Sequence, residues 1–314
     1  GDHRDLHSFP TRRSSDLNAG ASSNTQFTIP TTGSGYNYNV DCNNDGVDEA
    51  TGLAGDYTCN YPEAGAYTIR IKDNTGAGTG FPRIYFNYSG DRLKLLEIKQ
   101  WGASQWDSME SAFTGCAKMT MTAADTPDLS NVTSMQSMFA YATAFNQDIG
   151  GWDTGNVTNM SYMFLYAIAF NQDIGGWNVT SLTNAAGMFR DAGLSTENYD
   201  ALLTGWSAQT LKPGVTFHGG NSKYCLGEAA RANMIATYNW TIIDGGKECP
   251  SIPSPWVGGI AVQSDQSIVA VARPHLGSQI ASYIGASAGS TTQYVPMLFK
   301  DAFSGGSYKS ALYI

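Results

Sequence analysis

Apolar and polar residues alternate three times between residues 26 and 88: Tyr36, Tyr38 and Val40; Tyr67, Ile69 and Ile71; Ile84, Phe86 and Tyr88. A period of two sends successive side chains to opposite faces and predicts half-buried strands. Glycine-rich stretches, TTGSG and NTGAGTG, punctuate the runs as turns. Residues 18–89 are therefore expected to form a small β-sandwich. Further along the period changes. Residues 132–152 (VTSMQSMFAYATAFNQDIGGW) and 157–177 (VTNMSYMFLYAIAFNQDIGGW) are identical at 16 of 21 positions, at an offset of 25 and without a gap. The offset persists in the columns Met138, Met163, Met188 and Phe139, Phe164, Phe189, and in Trp152 and Trp177.

A repeat of this length predicts a solenoid, in which each unit buries its apolar face only against its neighbours. Met160, Met163 and Phe164 stand at i, i+3, i+4, the spacing of one side of a helical turn, with Thr158 placed as its N-cap. Ile149, Trp152 and Val157 then run through an extended return containing Gly150 and Gly151. Each coil is expected to be one short helix plus one extended segment, with the Met, Phe, Ile and Trp columns as core filler. Met109 and Phe113 suggest an earlier, degenerate coil, and Leu202, Leu203 and Trp206 a later one. A helix over 228–238 and a strand over 240–243 close the array, which is placed at 90–250. Residues 251–256 are a stiff Pro/Ser linker. Residues 257–314, with strands expected at 268–272 and 294–299, are taken as an incomplete β-domain ending in SALYI. The fold class is mainly β with short helices (α+β): β-sandwich module, leucine-rich-repeat-like solenoid, incomplete β-domain.

Composition changes this picture in three places. Residues 1–17, GDHRDLHSFPTRRSSDL, resemble a translated sequencing adapter and are expected to be a disordered artefact. Without them the net charge is still −9, because the tract holds three Arg and three Asp, but only His218 and His275 remain. Two distant histidines give little material for a His-based metal site or acid–base machine. Charged residues make up only 14 % of the chain, which lacks the basic face that nucleic acid requires. No run of 18 apolar residues exists to span a membrane in this fragment. The spacings of Cys42 with Cys59 and Cys225 with Cys249 permit disulfides, leaving Cys116 as a buried thiol. That points to an oxidising compartment, against a competing reading of five reduced thiols in a cytosolic protein.

Candidate chemistry is sparse. Asp41, Asn43, Asp45 and Gly46 form D-x-N-x-D-G, the opening of a calcium loop in which oxygen ligands alternate before a sharp turn. The twelfth position is Gly52, where a bidentate Glu belongs, so a calcium site would need Asp48 or Glu49 to complete it. A polar hairpin turn closed by Asx side chains is the favoured reading. Gly285, Ser287 and Gly289 match G-x-S-x-G, but no His follows Ser287 and the flanks are Gly/Ser/Thr-rich, so a plain loop is expected. Asn146–Gln147–Asp148 and Asn171–Gln172–Asp173 recur in register, either as a ladder bonding coil to coil or as a polar row for a ligand. Positions that differ between copies are the candidates for exposure. Tyr141, Tyr162 and Tyr166 are the residues expected to anchor a partner, since tyrosine is favoured at interfaces.

Two resemblances add to this reading. The stretch YNYNVDCNNDG, followed by YPEAGAYTIRI, resembles the PKD-type immunoglobulin-like modules of bacterial surface proteins. The stretch AFNQDIGGWDTGNVTNMSYMF, with a closing segment from NYDALLTGWSAQ to IIDGGKEC, resembles the BspA-like leucine-rich-repeat surface proteins. That second resemblance implies a non-catalytic protein, secreted or displayed on a bacterial cell surface, whose partner is a protein or glycan bound in adhesion, with no cofactor beyond the calcium the loop admits. The competing expectations are the binding region of a secreted hydrolase whose catalytic domain lies elsewhere, and a carbohydrate-binding protein.

Overall fold

The computed structural model describes residues 20–249 throughout and, outside them, only strands at 5–10, 261–262, 269–272, 281–284 and 293–294. The architecture is mostly short strands in open sheets, with two short helices. A four-stranded antiparallel sheet has the order β1 (Asp5–Pro10), β6 (Thr68–Asp73), β3 (Tyr38–Asp41), β4 (Ala50–Leu53). A second pair joins β2 (Gln26–Ile29) to β5 (Tyr57–Asn60). The alternation of the sequence appears as burial: Tyr38 and Val40 on β3, and Ile69 and Ile71 on β6, are fully buried with Phe27 and Ile29 of β2. A disulfide between Cys42 and Cys59, with Cα atoms 5.7 Å apart, ties the end of β3 to β5 and so links the two sheets covalently. The third alternating run does not form a strand. Ile84 and Phe86 are buried, but Phe86 and Tyr88 donate their N–H groups to Ala112 and Thr114 and so begin the repeat array.

The array is held by main-chain hydrogen bonds at the repeat spacing. Met135, Ser137, Phe139 and Tyr141 donate to the carbonyls of Asn159, Ser161, Met163 and Leu165, and one unit later Met160, Tyr162, Phe164 and Tyr166 donate to Asn184, Ala186, Met188 and Arg190. All eight bonds lie between 2.7 and 3.0 Å. The intervening N–H groups turn back on their own unit, as Met138 does to Met135 and Ala140 to Ser137. The expected helical turn at 160–164 is therefore absent. Tyr162, at φ 57°, interrupts it with a left-handed residue. Met160, Met163 and Phe164 still share one buried side, because a chain of tight turns returns side chains to a face at the same three- and four-residue intervals as a helix.

On that buried side Phe113, Phe139, Phe164 and Phe189 stack with near-parallel rings, their centroids 5.8, 5.8 and 5.1 Å apart in turn. Phe145 and Phe170 form a second column 4.1 and 4.0 Å from the first. Polar ladders fix the register on the outside. Thr158 bonds Thr133 O through both its N–H and its hydroxyl, and Thr183 repeats both bonds to Thr158 O. The repeated asparagines form the ladder rather than a free polar row: Asn146 Oδ1 accepts from Asn171 N, and Asn171 Oδ1 from Ser195 N and Asn198 Nδ2. The two-residue strands β7 (Glu97–Ile98) and β8 (Thr120–Met121) pair in parallel one unit apart.

The closing segment makes similar contacts with different elements. Helix α1 (Thr196–Ser207), capped by Ser195, buries Tyr199, Leu202, Leu203 and Trp206 at helical spacing. Trp206 Nε1 donates to Ile174 O as Trp177 Nε1 donates to Ile149 O, so a helix reproduces a contact that an extended segment makes one unit earlier. Strand β9 (Thr216–His218) follows and pairs in parallel with β10 (Thr241–Ile243) across helix α2 (Glu228–Tyr238). Asp200 of α1 accepts the N–H groups of Cys225, Leu226 and Gly227 and thereby serves as the cap α2 lacks on its own N-cap residue, Gly227. Asp244 accepts from Tyr199 Oη and Arg231 Nε, and a Cys225–Cys249 disulfide ends the segment. A single hydrophobic core runs from Phe27 to Trp240 within one compact unit, residues 1–249. Residues 250–314 form a second unit, in which β11 (Ala261–Val262) pairs with β14 (Gln293–Tyr294) and β12 (Val269–Ala272) with β13 (Ala281–Ile284).

Asp91 joins the amino-terminal module to the array. Its buried carboxylate accepts from Ser22 N and Oγ and from Thr28 N, and lies 3.1 Å from Lys94 Nζ. Burial alone would raise its pKa, but the bonds from Ser22, Thr28 and Lys94 outweigh it and hold the group below the usual carboxylate range. A group depressed on folding contributes fully above its unfolded pKa, about 3.9, and loses that contribution as pH falls through the lower folded value. Asp91→Asn is expected to cost about 3 kcal/mol at pH 7. In thermal melts from pH 7 to 2 it should also flatten the acid-side fall in Tm that the unsubstituted protein shows.

Candidate functional site

Two columns of the array hold left-handed residues. In one, the hydrogen-bond register aligns Tyr88, Gly115, Tyr141, Tyr166 and Asp191, whose φ angles are 60°, 80°, 59°, 55° and 58°. In the other it aligns Ser111, Ser137, Tyr162 and Gly187, at 54°, 56°, 57° and 66°. Each left-handed residue from Tyr88 through Tyr166 donates its N–H to the following unit, so the conformation is imposed by the ladder. Glycine adopts it at no steric expense, whereas any other residue is strained by about 1–2 kcal/mol. Gly115 and Gly187 take that backbone freely, whereas the four tyrosines, like Ser111, Ser137 and Asp191, take it at a penalty.

Those side chains make a surface. Tyr88, Tyr162 and Tyr166 are exposed by 53, 38 and 41 %, and Tyr141 is half-buried between its neighbours. Tyr141 and Tyr166 stack at 5.0 Å with rings 15° from parallel, and Tyr88 meets Tyr141 edge-on at 5.1 Å. The Arg92 guanidinium lies 4.4 Å over the Tyr88 ring, a cation–π contact at one end of the row. At the other end the Asp191 carboxylate sits beside Tyr166, pushing its phenol pKa up by charge and by a hydrogen bond, and pairs with Arg190 at 3.5 Å. The glycines shape this row as well as turning it. A Cβ on Gly115 would stand 2.6 Å from Arg92 Cδ and 2.7 Å from Tyr88 Cδ2, and one on Gly187 2.4 Å from the Tyr162 ring.

Of the three tyrosines singled out from the sequence, the structure brings Tyr141 and Tyr166 together and sets Tyr162 in the neighbouring column. Tyr88 and Arg92 were missed. Tyr88 lies in the segment assigned to the sandwich and Arg92 just inside that assigned to the array, and the spacing from Tyr88 to Gly115 is 27 rather than 25, so the repeat offset does not find them.

The Asp41 loop has a different character. Asp41, Asp45 and Glu49 bring carboxylate oxygens within 4.8 Å of one another. Asp41, fully buried, already accepts from Asp45 N and Gly46 N, and Asn43 Oδ1 accepts from Asp45 N as an Asx turn does. Glu49 accepts from Cys42 N, and Lys72 Nζ stands 2.6 Å from Asp48 and 3.9 Å from Asp41, setting an ammonium beside the acidic group. Cys225 and Cys249 are bridged with Cα atoms 4.8 Å apart, while Cys116 is buried and its thiol pKa pushed up by that burial. His218 is engaged through Nδ1, which accepts from Gly220 N. Ser287 and its glycines lie outside the described residues. Among the described residues no helix is long and apolar enough to cross a membrane.

Residues 86–212 match the model of a family described as Mycoplasma protein of unknown function, DUF285. The match begins at Phe86, where the ladder begins, and ends just past α1. Comparison with curated proteins and with solved structures returned no match.

Two outcomes test this description. Gly115→Ala is expected to destabilise the protein by about 2 kcal/mol in chemical denaturation, from left-handed strain plus the clash with Tyr88 and Arg92. Gly151→Ala, with nothing within 4 Å of the added Cβ, should leave the midpoint within error. Millimolar calcium is expected to leave the Tm and the titration calorimetry of the protein flat, because the loop's oxygens already hold backbone N–H groups and Lys72. A saturable heat abolished by Asp45→Ala would establish a cation site instead.

Proposed function

We propose that this chain is a non-catalytic binding protein of the cell exterior, in which a leucine-rich-repeat-like solenoid of 25-residue coils presents the tyrosine surface to a protein partner in adhesion. The observation that carries the reading is the placement of Tyr88, Tyr141, Tyr162 and Tyr166 at left-handed positions, where each side chain is held outward at a conformational penalty. Tyrosine offers large, rigid, amphipathic contact area at low entropic cost, and Arg and Tyr are enriched where binding energy concentrates. The two disulfides support an oxidising, extracellular setting. The similarity of residues 86–212 to a family of unknown function supports the repeat assignment and is silent on the partner.

A protein partner is favoured over a glycan by how the rings sit. Sugar platforms present open aromatic faces, whereas one Tyr141 face is covered by Tyr166 and one Tyr88 face by Arg92. The test is a screen of the full chain against extracellular-matrix proteins and a glycan array, followed by Tyr162→Asn and Tyr166→Asn, since Asn tolerates left-handed backbone. Each substitution is expected to weaken a protein ligand about tenfold. Binding that ignores both changes, or a glycan as the only ligand, would sink the assignment.

A further inference from the structure

The tyrosine row has a polarity that the binding reading leaves unexplained. It runs in order from Arg92 through Tyr88, Tyr141 and Tyr166 to Asp191, with a cation at one end and a carboxylate at the other. Among the described residues no carboxylate pairs with Arg92, and its Nε is buried without a hydrogen-bond partner. Asp191 is held by the Tyr166 hydroxyl and by Arg190, the latter in a pair whose side chains are 62 and 43 % exposed. Exposed pairs of that kind contribute little and exchange partners readily.

A line of this form is self-complementary under a two-fold axis. Laid antiparallel on its own copy with the axis at Tyr141, the row sets its Tyr88 end, with Arg92, against the second copy's Asp191, and the exposed Tyr166 against the second copy's Gly115, over which that copy's Tyr88 ring lies. Tyr141 is the central one of the five register positions from Tyr88 to Asp191, so both charge pairs form at once. We propose that the tyrosine row is a homotypic docking surface, on which two copies of this chain pair antiparallel through their exposed tyrosines, closed at both ends by Arg92–Asp191 contacts. This rests on the same row as the binding reading and names its occupant as a second copy. A row one tyrosine wide makes a small interface, so the pairing is transient.

Sedimentation velocity of the full chain over a wide concentration range tests it. A monomer–dimer equilibrium is expected, weakened at least about tenfold by Tyr166→Asn, by Arg92→Asp and by Asp191→Arg, each checked for folding by circular dichroism. The double variant Arg92→Asp/Asp191→Arg restores the dimer, because reversing both charges recreates both pairs only in an antiparallel arrangement. A chain that stays monomeric throughout overturns the proposal, as does a dimer indifferent to Tyr166→Asn or a double variant no better than the single ones. Capture of a matrix protein by a strictly monomeric chain would remove the homotypic pairing and leave the binding reading standing. A dimer with no matrix ligand would do the reverse.

Discussion

From 135 to 141 and again from 160 to 166, every second main-chain N–H is directed at the following unit, and those between bond within their own unit. That constraint organises the rest of the structure. Backbone donors in a protein interior must be satisfied, and these are satisfied only if a neighbour exists at the correct offset. The phenylalanine stacks, the threonine and asparagine ladders and the indole bonds of Trp177 and Trp206 all follow from that offset. The closing segment makes an equivalent indole contact with a helix in place of an extended run, at a longer sequence separation.

The ladder also dictates where tyrosines can be displayed. Aiming alternate N–H groups outward along the array forces left-handed residues at fixed positions in each unit, two in the central ones. These positions lie at the crest of a turn, where a side chain projects away from the core. A strained backbone is tolerable there because the hydrogen bonds that impose it are made on both sides by neighbours. Where the column carries glycine instead, as at Gly115 and Gly187, the ring of an adjacent unit occupies the space. The surface is thus continuous even though only some units contribute an aromatic residue.

Much of this was legible in the sequence and some was not, for identifiable reasons. The Met, Phe and Trp columns were visible because identity at an offset of 25 is a long-range signal that no local ambiguity disturbs. The span of α2 was visible as a single amphipathic run, and the asparagine ladder as a register of identical polar residues. The turn conformation was not visible: Met160, Met163 and Phe164 satisfy a helix and a chain of tight turns equally, and only the φ of Tyr162 separates them. Ile84, Phe86 and Tyr88 alternate like a strand, yet their partners are Ala112 and Thr114, which the alternation alone does not specify. Arg92 joined the candidate surface only through its contact with Tyr88, a pairing with no signature in spacing. Tyrosine as the interface residue was an expectation from residue preference; only Tyr162 stands where the copies differ, since Tyr141 and Tyr166 are identical in register.

The disulfide between Cys225 and Cys249 has a mechanical meaning. A pull arriving from the carboxyl-terminal side of residue 249 passes through the sulfur atoms directly to residue 225. The intervening chain, with α2 and β10, lies off the load path and cannot be drawn out by tension. Behind residue 225 the load meets Asp200, whose carboxylate grips three successive N–H groups from inside α1. Tension is thereby delivered to a buried helix rather than to the edge of the last rung. Under such a pull, that is the difference between being peeled and being held.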